Sequence, residues 1–324
     1  MKQDPFPIRK SFLCDKALAR AIEAAYGLSE ATCQLITASL RDVYLVASSQ
    51  QRHALYIYRC NQRTPTEILA EWKFVEFLYT HGVPVAPAVP TQSGDLLLAF
   101  DTPEGTRYGV LATFVEGKHL RQRPSLQAIR TYGRLIAQIH TLADVMPYEL
   151  TRPTHDWEFL IHQSVVAFDS IITAQPEDQA YLHQAAATLR PKMAMLSTDK
   201  PYYGLIHGDV IRANAQVSDD GHVTVLDFDL CGFGWRAYDV ASYLLVVKGL
   251  PDQNESERAF LGGYQEIRSL TSIEQDTLSL FEAVRAVFDI GVKAANVHHW
   301  GSAYLHTFLG QSMERLKQCM KQIQ

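Results

Sequence analysis

The stretch LIHGDVIRANAQVSDDGHVTVLDFDLCGFG, residues 205–234, gathers polar side chains of the kind that handle protons and metals. They are His207, Asp209, Asn214, Asp227 and Asp229. The apolar run before HGD and the alternating run HVTVLDFD are predicted strands, and DDG between them is a predicted turn. The polar groups therefore lie where strands end and loops begin, which is where functional side chains are often held.

The spacing in this stretch suits phosphoryl transfer. That reaction needs a carboxylate to orient or deprotonate the acceptor hydroxyl, and oxygen ligands for magnesium on the nucleotide phosphates. Asp209, Asn214 in the same loop, and Asp227 at the end of a strand supply both. The competing interpretation is that the polar groups only cap loops. It explains the turn at 219–221 but not the other three residues together.

Length and composition exclude several classes of protein. The chain has 324 residues, 47% of them hydrophobic and 20% charged, which allows a sizeable core and favours two lobes. A formal charge of -5 offers no basic surface for nucleic acid or an anionic membrane. The five cysteines show no CxxC spacing and indicate neither disulfides nor a zinc site. Without a signal peptide or a long apolar run, the sequence predicts a cytoplasmic protein, by default a monomer or weak homodimer.

Strand-like runs dominate the first part of the chain. A helical segment is followed by three strand-like runs, one main helix and two further strands; these are residues 18–27, then 33–40, 42–49 and 53–60, then 64–82, then 96–100 and 107–117. Thr64 is the predicted cap of the main helix and Gly82 its end. From about Arg121 the pattern changes to long amphipathic helices. We therefore predict an α+β fold with a β-rich part at 1–115 and a mainly helical part at 116–324.

HGDVIRAN followed by VLDFD resembles the signature of the aminoglycoside phosphotransferase and choline kinase family, and GFGWRAYDVA is similar to the helix start that follows it there. The resemblance implies a bilobal, protein-kinase-like fold that transfers phosphate from ATP, with Mg2+, to a hydroxyl of a small molecule such as an aminoglycoside or amino alcohol. It implies that Asp209 is the catalytic base and that Asn214 and Asp227 bind the metal. His207 and Asp239 would support the catalytic loop.

The resemblance extends to the first 115 residues, which it identifies as a nucleotide-binding lobe, and it places the acceptor in the lobe at 116–324. The hairpin TASLRDVYLV lies where these enzymes cover the phosphates. Glu71 stands at the position of the family's helix glutamate, and FVEG resembles the linker whose backbone binds adenine. The nucleotide-binding residues implied are Ser39, Arg41, Tyr56, Glu71, Phe114 and Val115.

Two departures from the family pattern concern cations. Tyr56 stands where kinases carry a lysine that bridges the phosphates and the helix glutamate. Arg59 is the nearest cation but should point to the opposite face of a regular strand, and Arg41 in the hairpin is a second substitute. In the catalytic loop, Ile211 replaces a polar residue, and Arg212 beside it either contacts phosphate or covers the loop surface.

Two other interpretations stay open on the sequence. VTVLDFDLC alone resembles the DxD strand of haloacid dehalogenase-type phosphatases, with Asp227 as nucleophile and Asp229 as acid and base. A kinase-like binding protein without turnover would explain Tyr56, but not the retention of three metal- and proton-binding groups. A cationic acceptor would need acidic walls, for which the chain offers Asp156, Glu158, Asp229, Glu282 and Asp289.

Overall fold

The computed structural model describes residues 8, 10–147, 149–171 and 175–323, with the backbone alone for 302–308. The chain divides into two compact units, Met1–Thr80 with Val85–Val115, and His81–Pro84 with Glu116–Gln324. The first unit is built on a sheet and the second is mainly helical. The predicted α+β fold class is confirmed.

A five-stranded antiparallel sheet forms the first unit. Its strands are Thr32–Ala38 (β1), Asp42–Ala47 (β2), Arg52–Ile57 (β3), Leu98–Thr102 (β4) and Gly105–Thr113 (β5). They lie in the order β1-β2-β3-β5-β4. Buried and half-buried residues alternate along β2, as expected for a strand with one face on the core.

Two helices complete the first unit, α1 over Asp15–Tyr26 and α2 over Pro65–Thr80. The predicted cap of α2 is confirmed, because the Glu67 amide donates to Thr64 Oγ1 at 3.2 Å and the Thr64 amide donates to Glu67 Oε2 at 2.8 Å. This reciprocal pair satisfies two amides at the start of the helix. In the middle of α2, Glu71 is buried among apolar neighbours.

Helices make up most of the second unit. They are Leu126–Asp144 (α3), Gln163–Asp169 (α4), Pro176–Ala194 (α5), Arg236–Val247 (α6), Gln253–Gln265 (α7), Ser272–Ala295 (α8), Val297–Trp300 (α9) and Ser302–Met320 (α10). A π-helical turn at Glu158–His162 leads into α4. The long helix α8 packs against α4, α5, α6 and α10 and is buried through most of its middle. Among the described residues, no helix has the length and apolar character needed to cross a membrane.

Short strands hold the quoted stretch in place. They are Lys118–His119 (β6), Tyr203–Ile206 (β7), Ala215–Val217 (β8), Val223–Val225 (β9) and Gly232–Trp235 (β10). β7 pairs with β10, and β6, β8 and β9 form a small antiparallel sheet. The predicted turn between β8 and β9 is confirmed, since the Ser218 amide donates to His222 O at 3.0 Å and Gly221 has a φ of +86°. The loop 207–214 therefore runs from β7 to the start of β8.

Candidate active site

Asp239 holds the backbone of the loop that follows β7. It lies in the first turn of α6, and its two carboxylate oxygens accept hydrogen bonds from the amides of His207 and Gly208, both at 2.8 Å. Gly208 has a φ of +81°, and a Cβ there would lie 2.2 Å from Leu230 O. Only glycine fits such a position. One carboxylate and one glycine thus define the start of the loop.

A buried hydrogen-bonded group supports Asp239 from its other side. His140 Nε2 lies 3.0 Å from Asp239 Oδ2, and His140 Nδ1 lies 2.8 Å from Tyr264 OH. Burial lowers the pKa of His140 to about 4, so near pH 7 the neutral ring donates its Nε2 hydrogen to the carboxylate. Burial alone would raise the pKa of Asp239, but the hydrogen bonds from His140 and the His207 amide lower it. Asp239 is therefore a buried anion surrounded by donors.

The side chain of His207 joins the loop to the segment that carries Asp227. Its Nε2 donates to Leu226 O at 3.0 Å, and its Nδ1 accepts from the Asp209 amide at 3.2 Å. The Leu226 amide donates to Asn214 O at 2.8 Å. Leu226, the residue before Asp227, is thus hydrogen-bonded to both ends of the loop, at His207 and at Asn214.

Both carboxylate oxygens of Asp209 accept hydrogen bonds. Asn214 Nδ2 donates to Asp209 Oδ2 at 2.7 Å and to Asp209 O at 2.9 Å. Arg285 Nη2, from α8, lies 2.6 Å from Asp209 Oδ1. The Asp209 side chain is 18% exposed, so it is held in place and still accessible. Those are the properties that a general base for a hydroxyl group needs.

Asn214 and Asp227 present oxygen atoms suited to a metal. Asp227 is exposed and has a φ of +64°, a left-handed conformation that Asp tolerates better than most residues. Asn214 uses both amide hydrogens on Asp209, which leaves its Oδ1 for another partner. The described residues contain no group of three or more His, Cys, Asp or Glu side chains that could hold a metal. Mg2+ commonly binds proteins through one or two side-chain oxygens and completes its shell with water and phosphate, so this pair fits it.

The backbone after Asp227 is held by a residue that the sequence did not point to. Arg152 is buried, and it donates from Nε to Cys231 O at 2.8 Å, from Nη2 to Phe228 O at 3.4 Å and from Nη2 to Asp229 O. A guanidinium that bonds three carbonyls restrains this segment strongly. Arg152 therefore restrains the Asp227 segment, as Asp239 restrains the loop 207–214.

In the first unit, Arg41 lies against the helix glutamate. Its Nη1 is 2.9 Å from Glu71 Oε1, and the guanidinium carbon lies 4.3 Å from the centroid of the Tyr56 ring. Tyr58 OH donates to Glu71 Oε2 at 2.8 Å, and Trp72 Nε1 donates to Tyr58 OH at 3.0 Å. The cation paired with Glu71 thus comes from the hairpin between β1 and β2, and its guanidinium lies over the ring of Tyr56 on β3.

The remaining residues predicted to bind nucleotide lie just beyond the ends of strands of the same sheet, Ser39 after β1, and Phe114 and Val115 after β5. The Ser39 amide donates to Arg41 O at 3.2 Å, and Arg59 Nη2 donates to Ser39 O. β3 ends at Ile57, so the orientation expected of Arg59 in a regular strand does not apply. Phe114 directly follows β5, with Arg52 5.1 Å from its ring centroid, and Val115 ends the first unit.

Both alternatives considered for Arg212 are wrong. Its side chain is buried. Nη2 lies 2.8 Å from Oδ2 of Asp252, the residue before α7, and donates a hydrogen bond to Oγ of Ser256 in α7. A guanidinium held in this way braces the loop against α7. It neither covers the loop surface nor extends toward a phosphate.

Four of the acidic residues considered for an acceptor site have partners within the second unit. Asp156 Oδ1 accepts from the Phe159 amide at 2.9 Å, and Glu158 Oε1 lies 2.8 Å from His162 Nδ1. The other two are Glu282, 2.6 Å from Lys248 Nζ, and Asp289, 2.7 Å from Arg285 Nε. Asp229 is buried.

Arg285 is the contact of Asp209 that sequence reasoning missed. One signal was available, because Arg285 and Asp289 are four residues apart in a segment whose other residues are almost all apolar. Charged residues in such a position are rarely buried unless they are paired. The pattern indicated a buried ion pair on α8, but not what it would contact.

A β-rich unit has an Arg–Glu pair, and the loop of the helical unit bears an accessible carboxylate beside an Asn, with an Asp after the short strand β9. These are the features of a phosphotransferase of the kinase type. Residues 32–271 match the Phosphotransferase enzyme family (APH), and the chain belongs to this family. The haloacid dehalogenase interpretation is wrong for two reasons. The chain belongs to a phosphotransferase family, and the strand before Asp227 lies in a small antiparallel sheet. Membership in a family of enzymes also argues against the binding-protein alternative.

Three comparisons describe the relatives. The chain is 32% identical to an uncharacterized protein of Deinococcus radiodurans over 305 residues, 93% of this chain and 88% of the relative. A microcompartment-associated aminopropanol kinase has a similar fold, with a TM-score of 0.79, 24% identity and coverage of 94% and 95% of the two chains. The amicoumacin kinase hAmiN, solved with AMP-PNP, Ca2+ and Ami, gives a TM-score of 0.77, 20% identity and coverage of 93% of each chain. These two likenesses concern the fold.

Proposed function

We propose that this protein is an ATP- and Mg2+-dependent kinase that phosphorylates a hydroxyl group of a small molecule such as an aminoglycoside, an amino alcohol or a related metabolite. The observation that carries the proposal is the Asp209 carboxylate, held by Asn214 at 2.7 Å and Arg285 at 2.6 Å and still accessible. The unit ending at Val115 binds the nucleotide, and the residues from 116 onward bind the acceptor. A kinase needs a supply of ATP, which the cytoplasm provides, so we place the protein there, as a monomer or weak homodimer.

In this mechanism Asp209 orients the acceptor hydroxyl and takes its proton as the oxygen attacks the terminal phosphorus. The new O–P bond replaces the bond to ADP, and the proton stays on the Asp209 carboxyl until water removes it. Asn214 and Asp227 hold the magnesium, which when bound offsets the negative charge of the phosphates. His207 and Asp239 keep the loop in shape.

The acceptor class is supported by the relatives that share the fold. One is named for an amino alcohol and the other for amicoumacin. The test is a screen of hydroxyl compounds, including aminopropanol, aminoglycosides and homoserine, for stimulated ADP release in the presence of MgATP. We expect at least one compound of this class to raise the rate and to appear as a phosphate ester by mass spectrometry. Release of phosphate from aryl phosphates without ATP would contradict the proposal.

Asp227→Asn should raise the magnesium concentration needed for half-maximal ADP release by at least about tenfold. Loss of outer-shell partners alone weakens metal binding about 10–100-fold, and Asp227 is proposed to touch the metal itself. Asp220→Asn, in the exposed turn between β8 and β9, is the matched control and should leave the magnesium requirement unchanged. An unaltered requirement in Asp227→Asn would show that this carboxylate does not bind the metal.

Arg41→Met should raise KM for ATP about tenfold or more, because a hydrogen bond to a charged group contributes about 1.5–3 kcal/mol. In our proposal Arg41 supplies the cation that Tyr56 does not. Introducing Tyr56→Lys into the Arg41→Met protein should lower KM again, since a lysine there carries the charge on β3. Arg20→Met, at an exposed position of α1, is the control. Steady-state ADP release at varied ATP gives the result, and an unchanged KM in Arg41→Met would exclude the role.

A further inference from the structure

We propose that Arg285 is a positioning residue for phosphoryl transfer, which holds the Asp209 carboxylate in the orientation that accepts the proton, and that Asp289 in turn fixes Arg285. This inference rests on the proposed function and adds two residues to it.

Arg285 lies where an apolar side chain would be expected. Its neighbours on α8, Val284, Ala286, Val287 and Phe288, are all buried, and Arg285 itself is 5% exposed. Bringing a guanidinium into such surroundings is costly unless its hydrogens find acceptors. A leucine or methionine would fill the space without that cost. An arginine at this position is therefore explained by the acceptors that its guanidinium binds.

Those partners belong to the catalytic loop and to the next turn of α8. Nη2 lies 2.6 Å from Asp209 Oδ1, Nη1 donates to Gly208 O at 3.3 Å, and Nε lies 2.7 Å from Asp289 Oδ1. Burial alone would lower the pKa of Arg285, but the carboxylates of Asp289 and Asp209 hold it well above its usual value. Arg285 is therefore a permanent cation bonded to both the predicted base and the peptide group before it.

Each of the two donors to the Asp209 side chain bonds a different carboxylate oxygen. Asn214, from the same loop, bonds Oδ2, and Arg285, from α8, bonds Oδ1. Two donors on different oxygens restrain the rotation of the carboxylate. Each oxygen has more than one acceptor direction, so either can still receive the hydrogen of a substrate hydroxyl. The orientation of the base is thus set by a helix 76 residues away in the chain.

No cation of the loop itself contacts the base. Ile211 is apolar, and Arg212 is bonded to Asp252 and Ser256. Arg285 also lies outside residues 32–271, the part of the chain that matches the family. The family match therefore covers Asp209 but not the residue that bonds it from α8.

Arg285→Gln should lower kcat about 100-fold, the loss typical of a reacting group displaced by about 1 Å. KM for ATP and the rise in melting temperature caused by MgATP should not change, because Arg285 is not proposed to touch the nucleotide. Arg285→Lys keeps the charge and should recover part of kcat, while Asp289→Asn should lose less than Arg285→Gln. ADP release with water as the acceptor is the first probe, and transfer to the acceptor found by the screen is the second.

Arg123→Gln is the matched control, because its ion pair with Asp219 is exposed and such pairs contribute little. Full kcat in Arg285→Gln, or equal losses in the Lys and Gln variants together with loss of MgATP binding, would overturn the positioning role. If Arg285→Gln fails to fold, Arg285→Lys and Asp289→Asn decide, and full kcat in both overturns the proposal. Full turnover in Asp209→Asn would overturn the proposed base itself. An active Arg285→Gln beside an inactive Asp209→Asn overturns only the inference made here.

Discussion

Replacing Asp209 with Asn is expected to lower kcat by about two to four orders of magnitude, the contribution of a well-placed general base. Asparagine keeps the size of the side chain and can still accept a hydrogen bond, but it cannot take the proton of a hydroxyl group. KM for ATP should change little, because the proposed contact of Asp209 is with the acceptor. ADP release with a saturating acceptor measures the effect.

Two measurements make the Asp209→Asn result decisive. The variant also loses the ion pair with Arg285, so its melting temperature must show that it is folded under assay conditions. Asp219→Asn changes an Asp that is 98% exposed in the turn between β8 and β9, and its kcat should equal that of the unaltered protein. A kcat for Asp209→Asn above about a tenth of normal would lie outside the range of general-base catalysis and assign the proton to another group.

Asp239→Asn is expected to lower the free energy of unfolding by about 1.5–3 kcal/mol, the contribution of a hydrogen bond to a charged group. The carboxylate accepts from the amides of His207 and Gly208 and from His140. The amide group of asparagine has one oxygen where two are needed, so at least one buried N–H group would face an N–H group. Urea denaturation followed by circular dichroism gives the change in unfolding free energy.

The same exposed variant, Asp219→Asn, is the control for stability and should stay within about 0.5 kcal/mol. Asp239→Asn should also lose activity, because the loop that carries Asp209 begins at the two amides that Asp239 holds. A loss below about 1 kcal/mol would be no more than an ordinary hydrogen bond contributes, and would mean that the loop keeps its shape without this anion.

Local patterns were sufficient to predict the elements that carry the site. Strand-like runs between polar breaks indicated β2 and β3, helical spacing with a Thr cap indicated α2, and DDG indicated the turn between β8 and β9. Each of these signals lies within a few residues, where the geometry of the backbone leaves few solutions. The contact between Asp209 and Asn214 is also local, since the two residues belong to one loop.

Contacts across long stretches of chain were not predictable from patterns of this kind. His140, Arg152 and Arg285 come from three different segments, and each bonds the quoted stretch or its support. Nothing in their own neighbourhoods names a partner, because a hydrophobic period shows only which face of a helix is buried. Whether Arg59 or Arg41 pairs with Glu71 was also not predictable, because the answer depends on how the hairpin between β1 and β2 folds.

By itself the sequence determined the order of the polar groups: the Asp209 carboxylate, the Asn214 amide and the Asp227 carboxylate, whose spacing is set by one loop and two short strands. The tertiary structure alone decided which cation pairs with the Asp209 carboxylate. Arg212, three residues from Asp209, is drawn away by Asp252, whereas Arg285 reaches it because α8 packs against α6, the helix whose Asp239 holds the loop. A charge buried in a packed core bonds whichever acceptor the packing brings near, and distance along the chain does not show which that is.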